Sequence, residues 1–489
     1  MTLMRFVVLG VVSCGLIVGC EGSTTTRPLQ NATTPRRHAE ATPTLDQQLT
    51  AYVESIGRNA GEARKFTGMV LVAQGDRVLY ERGFGFADRE ARTPITRDTS
   101  FRIGSITKQF TATAILMLEA RGKLAVTDPI SKYLPAYPRP GAAITIHQLL
   151  THTSGIPNYT ELQEFAPQRN RQLDAKHLLA MFSSLPLEFE PGSKWRYSNS
   201  NYAVLGAIIE AVAKQPYPQF MQDAIFGPAG LTRTVVGDAE QAGNRANGYQ
   251  VIDDELVAAE PIDMSLPFAA GAIRSTAHDL RTWHHVLQTD RILDRAHRDR
   301  LYTPDKNKYG YGWIIDKIEG ERLIWHNGAI DGFHAALYRV VDRDLVAIVL
   351  SNSFEGPAEQ VAKAAITAAL GKPVLPLDDQ APAELDPVIA KQVAGRYRLG
   401  AAGREMLEGV GVTGKRLEAI ETITIQAKHN AIEMKPVGQP PAELPATMRG
   451  VFAAPRFGVT VRFDIDKPGP ANGMHLEQGG LTLDYERAP

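Results

Sequence analysis

Ser105 and Lys108 stand one helical turn apart in Phe101-Arg-Ile-Gly-Ser-Ile-Thr-Lys-Gln-Phe110. Beyond them Phe110, Ala114, Met117 and Leu118 share one face, a spacing that predicts a helix ended by Gly122. Ser105 then lies at the helix start, with Lys108 on the same side. A serine hydroxyl is a poor nucleophile until a base takes its proton. Lysine acts as that base only where desolvation or nearby positive potential lowers its pKa. The N-terminal end of a helix supplies such potential, together with free N–H groups for an oxyanion. A helix-capping serine beside an exposed lysine has the same spacing, so the pair gains meaning only from its companions.

Two companions follow. In Tyr197-Ser198-Asn199 a phenol that could relay protons stands two residues from an amide able to hold both a lysine and a carbonyl. A plain turn and cap before the apolar run from Tyr202 would read alike. In Trp325-His326-Asn327-Gly328-Ala329, at the end of an expected strand, the glycine lets a substrate backbone lie close, and the next N–H could complete an oxyanion hole. Alone, a His at a strand edge is unremarkable.

In this order the three motifs resemble the β-lactamase and penicillin-binding family: Ser-x-x-Lys, then Tyr-x-Asn, then a variant of Lys-Thr-Gly. Thr145-Ile-His-Gln-Leu-Leu-Thr-His-Thr-Ser-Gly-Ile-Pro157, Ala270 to Leu280 and Tyr309-Gly-Tyr-Gly-Trp313 are similar to the class C β-lactamase branch, and the resemblance runs from about residue 46 to 372. It implies an acyl-enzyme on Ser105, with Lys108 and Tyr197 sharing general-base and general-acid work in an order left open. It further implies that Asn199 positions Lys108 and a substrate amide, that the N–H groups of Ser105 and Ala329 form the oxyanion hole, and that Asn327 and Gly328 line the substrate. His326 departs from the lysine common at its position. A mostly neutral imidazole suits a β-lactam carboxylate less well than a permanent cation, which moves weight from β-lactams toward D-Ala-type peptides and small carboxylic esters. A non-hydrolytic binder of penicillin or peptidoglycan fragments is the contrasting class, but it would be expected to have lost Ser105, Lys108 or Tyr197.

The elements that must hold these residues are expected to form an α/β chain of the α+β sandwich kind, an antiparallel sheet flanked by helices. Helical spacing begins at Leu45, Leu49 and Val53; Gly68–Ala73 and Arg77–Tyr80 read as a hairpin around Gln74-Gly75-Asp76. Strands return at Leu323–Trp325, Ala335–Val341 and Leu345–Leu350, and a last helix spans about Ala358 to Leu370. A Pro- and Asp-rich linker, 373–387, precedes a small β-rich accessory domain, 388–489, with strand-like Gly395–Leu399, Thr422–Ile425 and Val459–Phe463.

Composition sets the outer limits. The 489 residues are 44% hydrophobic and 22% charged with a net charge of −1, enough for sizeable cores and with no basic patch for nucleic acid. The apolar run Phe6–Gly19 after Arg5 reads as a signal peptide ending in the lipobox-like Ile17-Val18-Gly19-Cys20. Cys20 would be lipidated, and 21–44 would tether a hydrolase domain spanning 45–372 to a membrane in the cell envelope. Cys14 and Cys20 are the only cysteines, so a processed chain has no thiol nucleophile or thiolate site. His147, Thr151 and His152 read as a scaffold turn. His284 and His285, adjacent on a helix, are expected to diverge and hold no metal. No Gly-x-Ser-x-Gly elbow, His-Glu-x-x-His or phosphate loop occurs. No cofactor is expected, and the oligomeric state stays open.

Overall fold

Helix α1 (Leu45–Ala60) starts where Thr44 and Gln47 form a reciprocal capping box. Its Leu49, Val53 and Ile56 are buried at the spacing of one helical face. The computed structural model describes residues 43–239, 244–253, 255–377, 385–409, 411–428, 430–439, 441–448, 450–454, 459–465, 469–478 and 481–488. The expected signal peptide with Cys20, almost all of the tether and part of the linker lie outside them.

Strands β1 (Gly68–Gln74) and β2 (Arg77–Phe84) form the expected hairpin, with Gly75 at φ +53° in its turn. Later come β3 (Ile314–Ile318), β4 (Glu321–Ile330), β5 (Phe333–Val340) and β6 (Leu345–Ser351). They assemble in the order β3-β4-β5-β6-β1-β2, every neighbour antiparallel. Strand β4 runs longer than its Leu323–Trp325 signal because pairing with β5 continues past Gly328 and Ala329 to Ile330↔Phe333.

Alternate side chains feed two cores. On one face Val70, Val72, Trp325, Ala336, Tyr338, Ala347 and Val349 pack against α1 and α5 (Ala358–Ala369). On the other, Leu71, Ile324, Leu337, Ile348 and Leu350 join the larger core of α2 (Thr107–Ala120), α3 (Asn199–Ala213) and α4 (Ala277–Val286). The sheet is thus sandwiched between helical layers, as the sequence predicts.

Past residue 385 a separate apolar core forms. Eight antiparallel strands close a barrel: β7 (Gly395–Leu399), β8 (Thr422–Ala427), β9 (Ala431–Pro436), β10 (Ala442–Met448), β11 (Val451–Ala454), β12 (Val459–Phe463), β13 (Gly473–Gln478) and β14 (Leu481–Arg487). Pairing of Tyr397 with Arg487 seals it and leaves no open edge. Helix α6 (Pro387–Val393) precedes the barrel, while α7 (Ala401–Gly409) and α8 (Lys415–Glu421) form an excursion between β7 and β8. Strand signals alone did not announce these helices.

Candidate active site

The chain reaches Ser105 from a short strand, Phe101–Arg102, paired to Ile273–Ser275. Gly104 then takes φ +51°, where a Cβ would come within 2.9 Å of the Ala329 nitrogen. The turn Gly104–Ile106 is a 3₁₀ segment and α2 begins at Thr107, so Ser105 lies just ahead of the helix and Lys108 within its first turn. On the facing strand, a Cβ at Gly328 would stand 1.9 Å from the Ile103 carbonyl oxygen and 3.0 Å from the Ser105 nitrogen. These two glycines let β4 press against the nucleophile turn. The amides of Ser105 and Ala329 therefore border one gap.

Two groups converge on the hydroxyl. Lys108 Nζ lies 2.9 Å from Ser105 Oγ, and the Tyr197 phenol donates to the same oxygen at 2.7 Å. Lys108 is fully buried and also reaches Asn199 Oδ1 at 2.8 Å and the Ala270 carbonyl at 2.9 Å. None of these contacts is a carboxylate, so burial without a counter-charge holds the ammonium pKa well below its ordinary value. Burial likewise pushes the Tyr197 phenol above the ordinary phenol range, the bond to Ser105 opposing. Burial thereby shifts Lys108 toward its amine form and Tyr197 toward its phenol form.

Asn199 is held in turn. Its N–H donates to Asn158 Oδ1 at 3.0 Å and its side-chain amide to Thr160 Oγ1 at 3.3 Å, which leaves Oδ1 facing Lys108. The Ala270 carbonyl belongs to a short helical turn, Phe268–Gly271, entered through Phe268 at φ +41°. That conformation is strained for a bulky side chain. It accompanies the aim of two successive carbonyls at α2: Ala269 accepts from Thr111 at 2.7 Å and Ala270 from Lys108. Backbone acceptors carry no side-chain signature, and sequence reasoning missed the role of Ala270.

His326 is buried, with Nδ1 2.6 Å from its neighbour's Asn327 carbonyl and Nε2 3.1 Å from the Tyr309 hydroxyl. A carbonyl only accepts, so Nδ1 carries the proton and Nε2 accepts from Tyr309. Burial holds the imidazole pKa at about 3. Both ring nitrogens are thus engaged within the protein, and the ring touches the Tyr197 side of the site without bonding Ser105. The sequence placed His326 among the catalytic groups but missed its Tyr309 partner.

Asn327 needs correction. Strand alternation sends its side chain to the opposite face of the sheet, where it donates to buried Glu359 of α5. Glu359 also pairs with His334 at 2.8 Å, and His334 Nδ1 lies 2.6 Å from the Gly356 carbonyl. Burial alone would raise the Glu359 pKa; the His334 charge and bond and the Asn327 amide together hold it below its ordinary value. Burial opposes the proton on His334, and Glu359 outweighs it, so that pKa is raised. Asn327 thus belongs to a buried cluster behind β4, whereas Gly328 borders the nucleophile turn.

The reading of His284 and His285 as divergent also needs correction. Their rings lie 5.3 Å apart, and ligating atoms of both approach Asp344 within 4.8 Å. His284 nevertheless has protein partners on both nitrogens, Arg339 Nε at 3.0 Å and Asp344 at 3.1 Å. The turn histidines behave differently from each other. His147 bonds the Tyr311 hydroxyl at 2.8 Å, while His152, fully buried at φ +58°, tilts against the Tyr197 ring with centroids 4.4 Å apart.

Comparison with known proteins bears on the family and the fold. A family model described as Beta-lactamase matches residues 45–371. Penicillin-binding protein 4* of Bacillus subtilis is 28% identical over 384 residues, covering 73% of this chain and 84% of that protein. A solved D-stereospecific amidohydrolase from Streptomyces sp. is 26% identical with a TM-score of 0.56, covering 65% of this chain and 97% of that one. The octameric penicillin-binding protein homologue from Pyrococcus abyssi covers 89% of this chain and 99% of its own at TM-score 0.62; with 24% identity, that likeness speaks for the fold alone.

Proposed function

The chain belongs to the Beta-lactamase family, and from that premise we propose that it is a serine hydrolase forming an acyl-enzyme on Ser105 and releasing it to water. The observation that carries this reading is the convergence of Lys108 and Tyr197 on one hydroxyl at 2.9 and 2.7 Å.

Counting protons assigns the roles. A neutral lysine has two N–H bonds and one lone pair. Asn199 Oδ1 and the Ala270 carbonyl only accept, so they take both N–H bonds. The lone pair then faces Ser105, whose O–H donates to it while its oxygen accepts from Tyr197. Attack on a carbonyl forms the Oγ–C bond, moves the serine proton to Lys108, and places negative charge on an oxygen held by the Ser105 and Ala329 amides. The Tyr197 O–H then gives its proton to the departing nitrogen or oxygen, and Lys108 returns a proton to Tyr197 as the leaving group goes. Water repeats the sequence on the acyl-enzyme.

For the substrate we favour a D-Ala-type peptide or amide, or a small carboxylic ester. The neutral His326 offers no fixed cation for a β-lactam carboxylate, which ranks β-lactams below both. The Streptomyces relative in amidohydrolase chemistry supports the same order. Attachment to a membrane through lipid on Cys20, facing the periplasm or extracellular space, belongs to the same proposal, and the mass of the processed N-terminal peptide tests it.

Intact-protein mass spectrometry after a fluorophosphonate probe and, separately, a penicillin tests the chemistry. The probe should add to Ser105 and not to a Ser105→Ala variant, which should also lose turnover by roughly 10³-fold or more with its fold intact. A penicillin adduct as well would favour a slowly deacylating peptidase. No adduct from either reagent would overturn the hydrolase in favour of a binder.

A further inference from the structure

The segment that delivers Tyr197 is held from two sides. His152 takes its inner edge: the Arg196 N–H donates to the His152 carbonyl at 2.9 Å and the Ser198 N–H to His152 Nδ1 at 3.2 Å. Between them the Tyr197 N–H turns outward and donates at 2.7 Å to the carbonyl of Gly409. Gly409 belongs to the barrel domain, as the last residue of α7. The final carbonyls of a helix have no partner within it, so α7 ends with an acceptor to offer.

The same residue makes a second contact. Gly409 is buried, and a Cβ there would stand 2.4 Å from Trp195 Cε3, 2.5 Å from Cζ3 and 3.2 Å from the Trp195 carbonyl oxygen. Only glycine brings the helix end this close. The indole also meets the rings of His152 and Tyr309, with centroids 6.3 and 6.1 Å away. Those rings in turn flank Tyr197 and His326. Behind Gly409, Leu407 lies in the barrel core and its carbonyl accepts from the Val412 N–H at 2.8 Å, which fixes the helix end to the barrel.

We propose that the barrel is a positioning element of the active site: through Gly409, its helical excursion holds the Trp195–Tyr197 segment and so aims the Tyr197 phenol at Ser105. Gly409 acts through Tyr197 and touches no reacting atom. The proposal rests on Tyr197 being the proton donor to the leaving group, as argued above.

That dependence gives a readout that general loosening would not produce. An amide nitrogen must be protonated to leave, whereas nitrophenolate leaves as an anion. The test compares kcat/KM, which covers acylation and not the later release of the acyl group, for a D-alanyl amide and a nitrophenyl ester with the full-length chain in Gly409→Ala, Trp195→Leu, Tyr197→Phe and Glu477→Gln. The last variant removes the charge from a second contact between sandwich and barrel, Lys363 to Glu477 at 3.0 Å, away from the cleft. Gly409→Ala should lower amide kcat/KM about tenfold or more while ester kcat/KM stays within about twofold, an attenuated form of the loss from Tyr197→Phe. Trp195→Leu, which empties the contact from its other side, should show the same selectivity even if Gly409→Ala folds poorly. Glu477→Gln should change neither rate, and adding Gly409→Ala to Tyr197→Phe should cost nothing further.

Equal losses on both substrates, wild-type rates in folded Gly409→Ala, or an additive loss in the double variant would overturn the proposal alone. A wild-type chain that turns over neither substrate, or a Tyr197→Phe variant without amide selectivity, would overturn the functional reading and the proposal with it.

Discussion

Lys108 carries the pH dependence at the scale of single residues. Its folded pKa lies below the ordinary lysine value because burial disfavours the ammonium, so acid restores a proton that the base must not hold. Activity is therefore expected to fall as pH drops through the folded pKa and to level off above it. His326, held at about 3, stays neutral between pH 5 and 8 and contributes no limb there. A profile of kcat/KM against pH reports the free enzyme. His326→Gln should leave the ascending limb where it is, and Lys108→Arg should abolish turnover because guanidinium does not give up its proton. A limb that moves in His326→Gln would transfer the base role to the imidazole.

At the scale of elements, β4 must lie against the nucleophile turn on one side and α5 on the other. Gly328→Ala would drive a methyl to 1.9 Å from the Ile103 carbonyl oxygen, so the strand must retreat from Ser105. We expect a fall in kcat of about 10²-fold, the scale of losing one oxyanion donor, while the fluorophosphonate-labelling rate drops in parallel. On the α5 side, Glu359→Gln leaves His334 without its counter-charge and should cost about 3 kcal/mol in urea unfolding. The signs differ for the two partners. The raised His334 pKa stabilises the fold below the ordinary imidazole value, and this is lost as pH rises through the folded one. The lowered Glu359 pKa stabilises above the ordinary carboxyl value, and this is lost as pH falls through the folded one. The pair therefore supports the fold most between the ordinary carboxyl and imidazole values, and Glu359→Gln should lower stability across that window and remove the pair's fall-off on either side of it.

At the scale of the whole molecule, the sandwich and the barrel bury separate apolar cores. Separate cores favour separate cooperative transitions on heating. Within the barrel Arg487 ties distant segments: Nε donates to Ala471 at 2.7 Å, and Nη2 to the carbonyls of Gln392 and Ala394 at 2.6 and 3.0 Å. Arg487→Ala strands those carbonyls and should destabilise the barrel by about 3 kcal/mol. In calorimetry the barrel transition should move down while that of the sandwich stays. A single transition shifting as a whole would mean that the two cores unfold together.

The sequence by itself determined the reacting groups and their local setting. Ser105 and Lys108 share one turn, and Tyr197 and Asn199 are separated by one residue, so backbone geometry ties each pair together. The apolar run of β1 with its turn residues and the periodicity in α1 and α2 likewise located the sandwich. Tertiary structure alone decided which distant groups complete the site. Asn199 meets Lys108 across 91 positions, and Ala270 and Gly409 contribute backbone carbonyls, which every residue type possesses. Asn327 shows the same limit in reverse, because which face of a strand meets the cleft depends on the sheet it joins. Closure of the barrel was also beyond local signals, since it needs register between Tyr397 and Arg487 at its two ends. Short-range chemistry is written in side-chain types and spacing; long-range chemistry depends on packing that brings unmarked backbone atoms to within a hydrogen bond.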